Sequence, residues 1–194
     1  MSLRERKAAK KKEDILRSAS SVISRQGFHK TTMEDIAAEL LMTKGSLYYY
    51  FKNKEELLFH CHDLILTGAM ELIEDIYQEN ISSVEKMKKA IKAHLDIAIQ
   101  EKEIFNLIVK PEQIFSEDHI EDIVNKRDVY AGLFDKIIAQ GAERGEFHLR
   151  QQKMARMIIL GATNWIQVWY SDKGEFSKDE IEEIYADYLL KMLL

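Results

Sequence analysis

Between Thr32 and Lys54 the chain reads TMEDIAAELLMTKGSLYYYFKNK, and it gathers there the hydroxyls of Thr32, Thr43, Ser46 and three consecutive tyrosines with the ammonium groups of Lys44 and Lys54. These are hydrogen-bond donors suited to oxygen-rich partners. Lysine donates to the acceptors of guanine, and serine serves at a base edge as donor or acceptor, so Lys44 and Ser46 are the candidates for reading bases. Gly45, between them, lets the backbone come close. Such donors need a short rigid element to present them. Thr32 and Asp35 have the spacing of a capping box, followed by an apolar stripe of Ile36, Ala37 and Leu40. Leu41 and Met42 interrupt the stripe, and Thr43 is a second N-cap, able to accept from the amide of Gly45 or Ser46. A helix, a turn of about three residues and a second helix with polar and aromatic groups at its start form a helix-turn-helix pattern, whose second helix enters the major groove. Consecutive helical residues lie about 100° apart, so Tyr48, Tyr49 and Tyr50 cannot all face outward. Tyr50 is assigned to the core.

The run KGSLYYYFKNKEELL, from Lys44 to Leu58, resembles the TetR family of bacterial transcriptional repressors. In that family the recognition helix ends in Leu-Tyr-x-Tyr/His-Phe and a lysine opens a long connecting helix; Leu47, Tyr48, Tyr50, Phe51 and Lys54 stand at those places. The resemblance covers about Glu13 to Phe59, and beyond it rests on length and helical layout. One residue departs from the pattern: the turn usually holds glycine where this chain has Leu41, and a non-glycine residue with positive φ is strained. The resemblance implies that Thr32, Thr43, Tyr48, Tyr49 and Lys54 grip phosphates. It also implies a DNA-binding head over residues 1–53 and an effector-binding, dimerising domain over residues 54–194, with about nine helices in all.

Composition agrees with an all-α fold, since 46% of the 194 residues are hydrophobic, proline occurs once, and no run alternates with strand periodicity. The net charge of −5 is unevenly spread. Residues 1–54 hold 12 Lys+Arg against 6 Asp+Glu, and the remainder 16 against 27, a basic head on an acidic body. The lone Cys61 excludes an intrachain disulfide, and the charged N-terminus lacks the apolar stretch of a signal peptide. The longest uncharged stretch, Met157 to Ser171, falls short of the roughly 20 residues that span a bilayer. A soluble cytoplasmic protein is expected.

Along the rest of the chain, the basic arm MSLRERKAAKKK reads as a frayed helix start or as an arm adding phosphate contacts, and Ile15, Ala19, Val22 and Ile23 give the first packed helix a stripe that Gly27 ends. A long helix from Lys54 to about Asn80 links head and body. His60, Cys61 and His62 lie on it, but residues two apart on a helix point roughly 200° away from each other, which argues against a metal site. Capping signals at Ser82–Glu85, Ser116 and Ser177–Glu180, with stops at Pro111 and Gly145, mark the later helices. Phe105, Ile108, Phe115, Tyr130, Phe134 and Trp165 are candidates to line an interior for an apolar small-molecule effector. A helix from Met154 to Tyr170 and the final helix are apolar beyond what one chain needs, and Met157, Gly161, Trp169, Ile184 and Tyr188 are the candidate contacts of a two-fold dimer built as a four-helix bundle.

Two such heads would face half-sites of a pseudo-palindromic operator about one helical turn, or a multiple of one, apart. Family resemblance then implies a repressor released by its effector. The pattern from Gly161 to Tyr170 is similar to the branch sensing fatty-acyl coenzyme A or related lipids, with multidrug-like compounds as the alternative. The chain has no glycine-rich phosphate loop, Cys-x-x-Cys, His-Glu-x-x-His or nucleophile elbow, so neither catalysis nor a cofactor is expected. A module that binds an acidic protein through its basic helix pair is the remaining rival.

Overall fold

The structure, a computed structural model, describes residues 2–102, 104 and 114–194, and among them every regular element is a helix. Two compact units emerge, Met1–Ile65 with Glu101–Ile123, and Leu66–Gln100 with Val124–Leu194.

The first unit opens with α1 (Leu3–Gln26), which starts ten residues before the packed stripe begins to be read at Glu13. Its basic arm is helical. Ser2 closes the start through a capping box with Glu5, and Gly27, at φ 80°, ends the helix by donating its N–H to the Ile23 carbonyl at 2.8 Å. The buried stripe Ile15, Ala19, Val22 and Ile23 packs with Ile36 and Ala37 of α2 (Met33–Glu39), Leu47 of α3 (Lys44–Tyr50) and Leu57, Leu58 and Cys61 of α4 (Lys54–Gln78). Each short helix is held at its ends as well as by this core, because a seven-residue helix is marginal alone. Cys61 is buried, donates to the Leu16 carbonyl at 3.5 Å, and has its thiol pushed up to about 12 by burial. His60 lies beside the Phe51 ring, tilted to it, and edge-on to that of Phe59, and His62 is buried.

In the second unit, α5 (Ser83–Gln100) buries Met87, Ala90, Ile91, His94, Leu95 and Ala98 at helical spacing. It packs with α6 (Glu117–Glu143, whose later part belongs here), α7 (Gln152–Asn164), the single turn α8 (Ile166–Trp169) and α9 (Lys178–Lys191). Gly145, at φ 69°, closes α6, with its own N–H on Ala142 and that of Glu146 on Gly141. The helix expected over Met154–Tyr170 is broken at Trp165. Thr163 donates its hydroxyl to the Ile159 carbonyl at 2.8 Å, and that back-bonding competes with the helical ladder two residues before the break. Pro111 and most of the segment Ile104–Val109, including the candidate effector residues Phe105 and Ile108, lie outside the described residues.

Candidate nucleic-acid interface

The turn between α2 and α3 is closed by backbone bonds. Met42 N–H donates to the Ala37 carbonyl at 2.8 Å and Leu41 N–H to that of Ala38 at 3.0 Å, a Schellman arrangement that needs a left-handed residue, and Leu41 supplies it at φ 52°. The turn keeps the geometry that glycine would favour, under strain. Leu41 is 95% exposed, so its side chain contributes no burial that offsets this.

At the start of α3, Thr43 accepts from Ser46 N–H at 3.2 Å, and the two hydroxyls lie 2.9 Å apart, sharing one hydrogen. The other hydroxyl hydrogen is available to an outside acceptor. Leu47 is fully buried and Tyr50 half-buried against the core, which turns Gly45, Ser46, Tyr48 and Tyr49 outward, Tyr49 at 84% exposure. Met42, Thr43, Gly45, Ser46, Tyr49 and Tyr50 line an open hollow of about 530 Å³ on this edge. Nothing stands within 4 Å of where a Gly45 side chain would begin, so the backbone there is accessible.

Lys44 is exposed but engaged: it pairs with Glu34, on the first turn of α2, and its ammonium lies 5.6 Å from the Tyr48 ring centre. Their hydrogen bond raises the Lys44 pKa and lowers that of Glu34. Thr32 is also committed, because its hydroxyl donates to Asp35 at 2.7 Å and its N–H at 2.8 Å within the cap of α2. Lys54 reaches back instead of outward. Its ammonium donates to the Phe28 and Thr31 carbonyls at 2.8 and 3.0 Å and sits 4.2 Å from the Phe28 ring centre, and burial lowers its pKa. It pins the α1–α2 connection to the start of α4, and of its three N–H groups one is left for a phosphate.

This geometry, a capped helix pair with a polar outer edge, coincides with the segment that matches the bacterial regulatory proteins of the tetR family over residues 15–61, and a tetracyclin repressor-like C-terminal domain matches residues 80–193. The chain belongs to the TetR family. Among its relatives, a fatty acid metabolism regulator protein of Bacillus subtilis is 24% identical over 161 residues, covering 78% of this chain and 81% of that protein. The HTH-type transcriptional repressor KstR2 of Mycobacterium tuberculosis is 24% identical over 190 residues, covering 91% and 90%. A TetR/AcrR-family regulator from Thermobifida fusca, solved as a crystal structure, superposes with a TM-score of 0.80 at 25% identity, covering 93% of this chain and 97% of that one. The resemblance read from Lys44–Leu58 is thereby borne out, as is the all-α fold, and this TetR-family chain is a DNA-binding transcriptional regulator and not an enzyme.

In the body of this TetR-family regulator, Tyr130 and Phe134 come together on α6, buried, with ring centres 5.6 Å apart. Phe115 is buried in the core of the first unit, 6.5 Å from Phe59. Trp165, expected in an interior, is 61% exposed, at the break between α7 and α8. Met157, Gly161, Trp169, Ile184 and Tyr188 are all exposed on this chain. Sequence reasoning missed a buried polar chain: His94 of α5 hydrogen-bonds Tyr130 at 2.8 Å and Asn164 of α7 at 2.9 Å. Burial lowers the His94 pKa to about 4 and raises that of Tyr130, so both are neutral. A neutral imidazole donates from one nitrogen only; with Asn164 presenting its oxygen, Nε2 donates and Nδ1 accepts from Tyr130. Glu34 was missed as well, since it meets Lys44 across the turn, ten positions away, where no helical spacing links them. Among the described residues no helix is long and apolar enough to cross a membrane.

Proposed function

We propose that this chain is a homodimeric, cytoplasmic repressor that reads a pseudo-palindromic operator with α3 and releases it when an apolar effector occupies the helical body. The observation that carries this reading is the outward edge of Lys44, Ser46 and Tyr49 on a head with twice as many basic as acidic residues. Lys44 and Ser46 address base edges, and Gly45 allows close approach. Tyr48, Tyr49, Thr43 and the remaining N–H of Lys54 hold phosphates and set register. Thr32 reaches a phosphate only by sharing a hydroxyl that Asp35 already accepts.

Residues 1–53 form the reading domain in this scheme, and residues 54–194 bind effector and partner. Tyr130 and Phe134 line the effector's interior, and the His94–Tyr130–Asn164 chain is its polar element. An acyl-chain lipid or its coenzyme A thioester is the favoured effector. The likeness to the Bacillus fatty acid metabolism regulator supports that class. Exposed Met157, Trp169, Ile184 and Tyr188, with Gly161 allowing close helix approach, support a dimer through α7, α8 and α9. One α3 spans too few base pairs for useful discrimination; two heads at fixed spacing multiply it. Effector binding shifts α4, which runs on from the head, and a coupling of about 1–3 kcal/mol is typical of such regulation.

An anisotropy titration with duplexes from the regulator's own promoter region, at several salt concentrations and with and without long-chain acyl-coenzyme A, tests the scheme. Expected are preference for one duplex over its scrambled copy, weakening with salt, and release by the thioester. Equal, salt-independent binding to both duplexes overturns it.

A further inference from the structure

Six acidic residues lie within residues 1–54, and those with described partners are mostly occupied away from the reading edge. Glu5 closes the cap of α1, Glu13 pairs with Arg17, Glu39 with Arg25, and Asp35 caps α2. Glu34 differs. It projects from the first turn of α2 onto the ammonium of Lys44, the residue assigned to base reading, with both side chains more than half exposed.

We propose that Glu34 is a specificity-determining residue, which holds Lys44 in the free protein and gives it up only to a base step that satisfies both side chains. The inference rests on the DNA-reading function proposed for α3. On arbitrary duplex, Lys44 can exchange the carboxylate for a phosphate, one anionic acceptor for another. That exchange strands the Glu34 carboxylate beside like-charged backbone, so the pair adds nothing to non-specific grip. At a matching step the balance changes: Lys44 takes the O6 and N7 acceptors of a guanine, while Glu34, an acceptor only, takes the exocyclic N–H of a neighbouring cytosine. The pair is thus penalised on phosphate and satisfied on one base arrangement, and discrimination arises from the penalty as much as from the contact. The Tyr48 ring, beside the Lys44 ammonium, limits the directions in which the freed lysine can turn.

Glu34→Gln in the full-length protein is the test, read as affinity for the preferred and scrambled duplexes across a salt series. Removing the carboxylate frees one cation per head, so the slope of log affinity against log salt steepens by about 0.9 per head. Scrambled duplex is bound at least about threefold more tightly, and the preference for the chosen duplex falls by roughly tenfold per head. In the double variant Glu34→Gln with Lys44→Gln, the net charge matches that of the starting protein, so the salt slope returns to its original value while the preference stays low. A brace that merely joins α2 to α3 would move the melting temperature and weaken both duplexes alike. An unchanged slope and preference in Glu34→Gln, or equal weakening on both duplexes, overturns the proposal. Lack of any sequence preference in the unaltered protein would overturn the DNA-reading function instead, so the two failures are distinguishable.

Discussion

The reading edge around α3 and the helical body distribute polarity in opposite ways. At the edge, Leu47 and Phe51 are buried while lysine, serine and tyrosine groups face water; in the body, His94, Tyr130, Lys86 and Ser83 are buried while Met157, Trp165, Trp169 and Tyr188 are exposed. A small core with a polar outside is a finished surface, adapted to phosphate and water. A body with polar groups within and large apolar groups without has two further requirements. Its buried polar atoms must satisfy one another, as His94, Tyr130 and Asn164 do, and as Lys86 does with the Tyr77 carbonyl at 2.5 Å and Gln140 at 2.9 Å. Its exposed apolar face is suited to a partner.

Breaking the edge from beneath has the largest expected effect. Leu47→Ala leaves a cavity under α3 and destabilises the head by about 2–5 kcal/mol, seen as an early, separate unfolding transition and lost duplex binding. Equal stability would mean that the core beneath α3 is not what orients the edge. In the body, His94 provides a pH test. Its folded pKa of about 4 lies below the ordinary value of 6.5, so as pH falls through this window the unfolded chain takes up a proton that the folded chain refuses. Stability is complete above about 6.5 and falls by about 3 kcal/mol on the way to pH 4. Denaturant titrations of His94→Gln, compared with the unaltered protein across this range, should show that slope reduced.

Trp169→Glu probes the exposed face. In the dimer proposed through α7, α8 and α9, a charge at this position weakens association by at least about 2 kcal/mol, so sedimentation should show more monomer for this variant than for the unaltered protein, with the helical content kept. A dimer unaffected by this change would move the interface elsewhere. The smallest effect belongs to the edge again: Leu41→Gly relieves the left-handed strain at φ 52° without uncovering any core, and should raise the head's stability by about 1 kcal/mol while duplex preference stays the same.

Capping residues were legible because they act within three or four positions. Thr32 with Asp35, Thr43 with Ser46, Ser82 with Glu85 and Ser177 with Glu180 all make the bonds their spacing predicts. Glycine stops at Gly27 and Gly145 followed from the same local rule, since glycine takes the positive φ of such a stop without strain. Buried stripes at 3.6-residue period gave the helices and the core of the head. Tertiary structure alone decided which charged or polar groups meet across elements. Glu34 holds Lys44, Lys54 turns back to the Phe28 and Thr31 carbonyls, and His94 joins α6 to α7. Those pairings join residues ten to seventy positions apart, where sequence spacing carries no distance information. Trp165 shows the same limit: its apolar character and periodicity suit an interior, yet it stands 61% exposed at the break between α7 and α8.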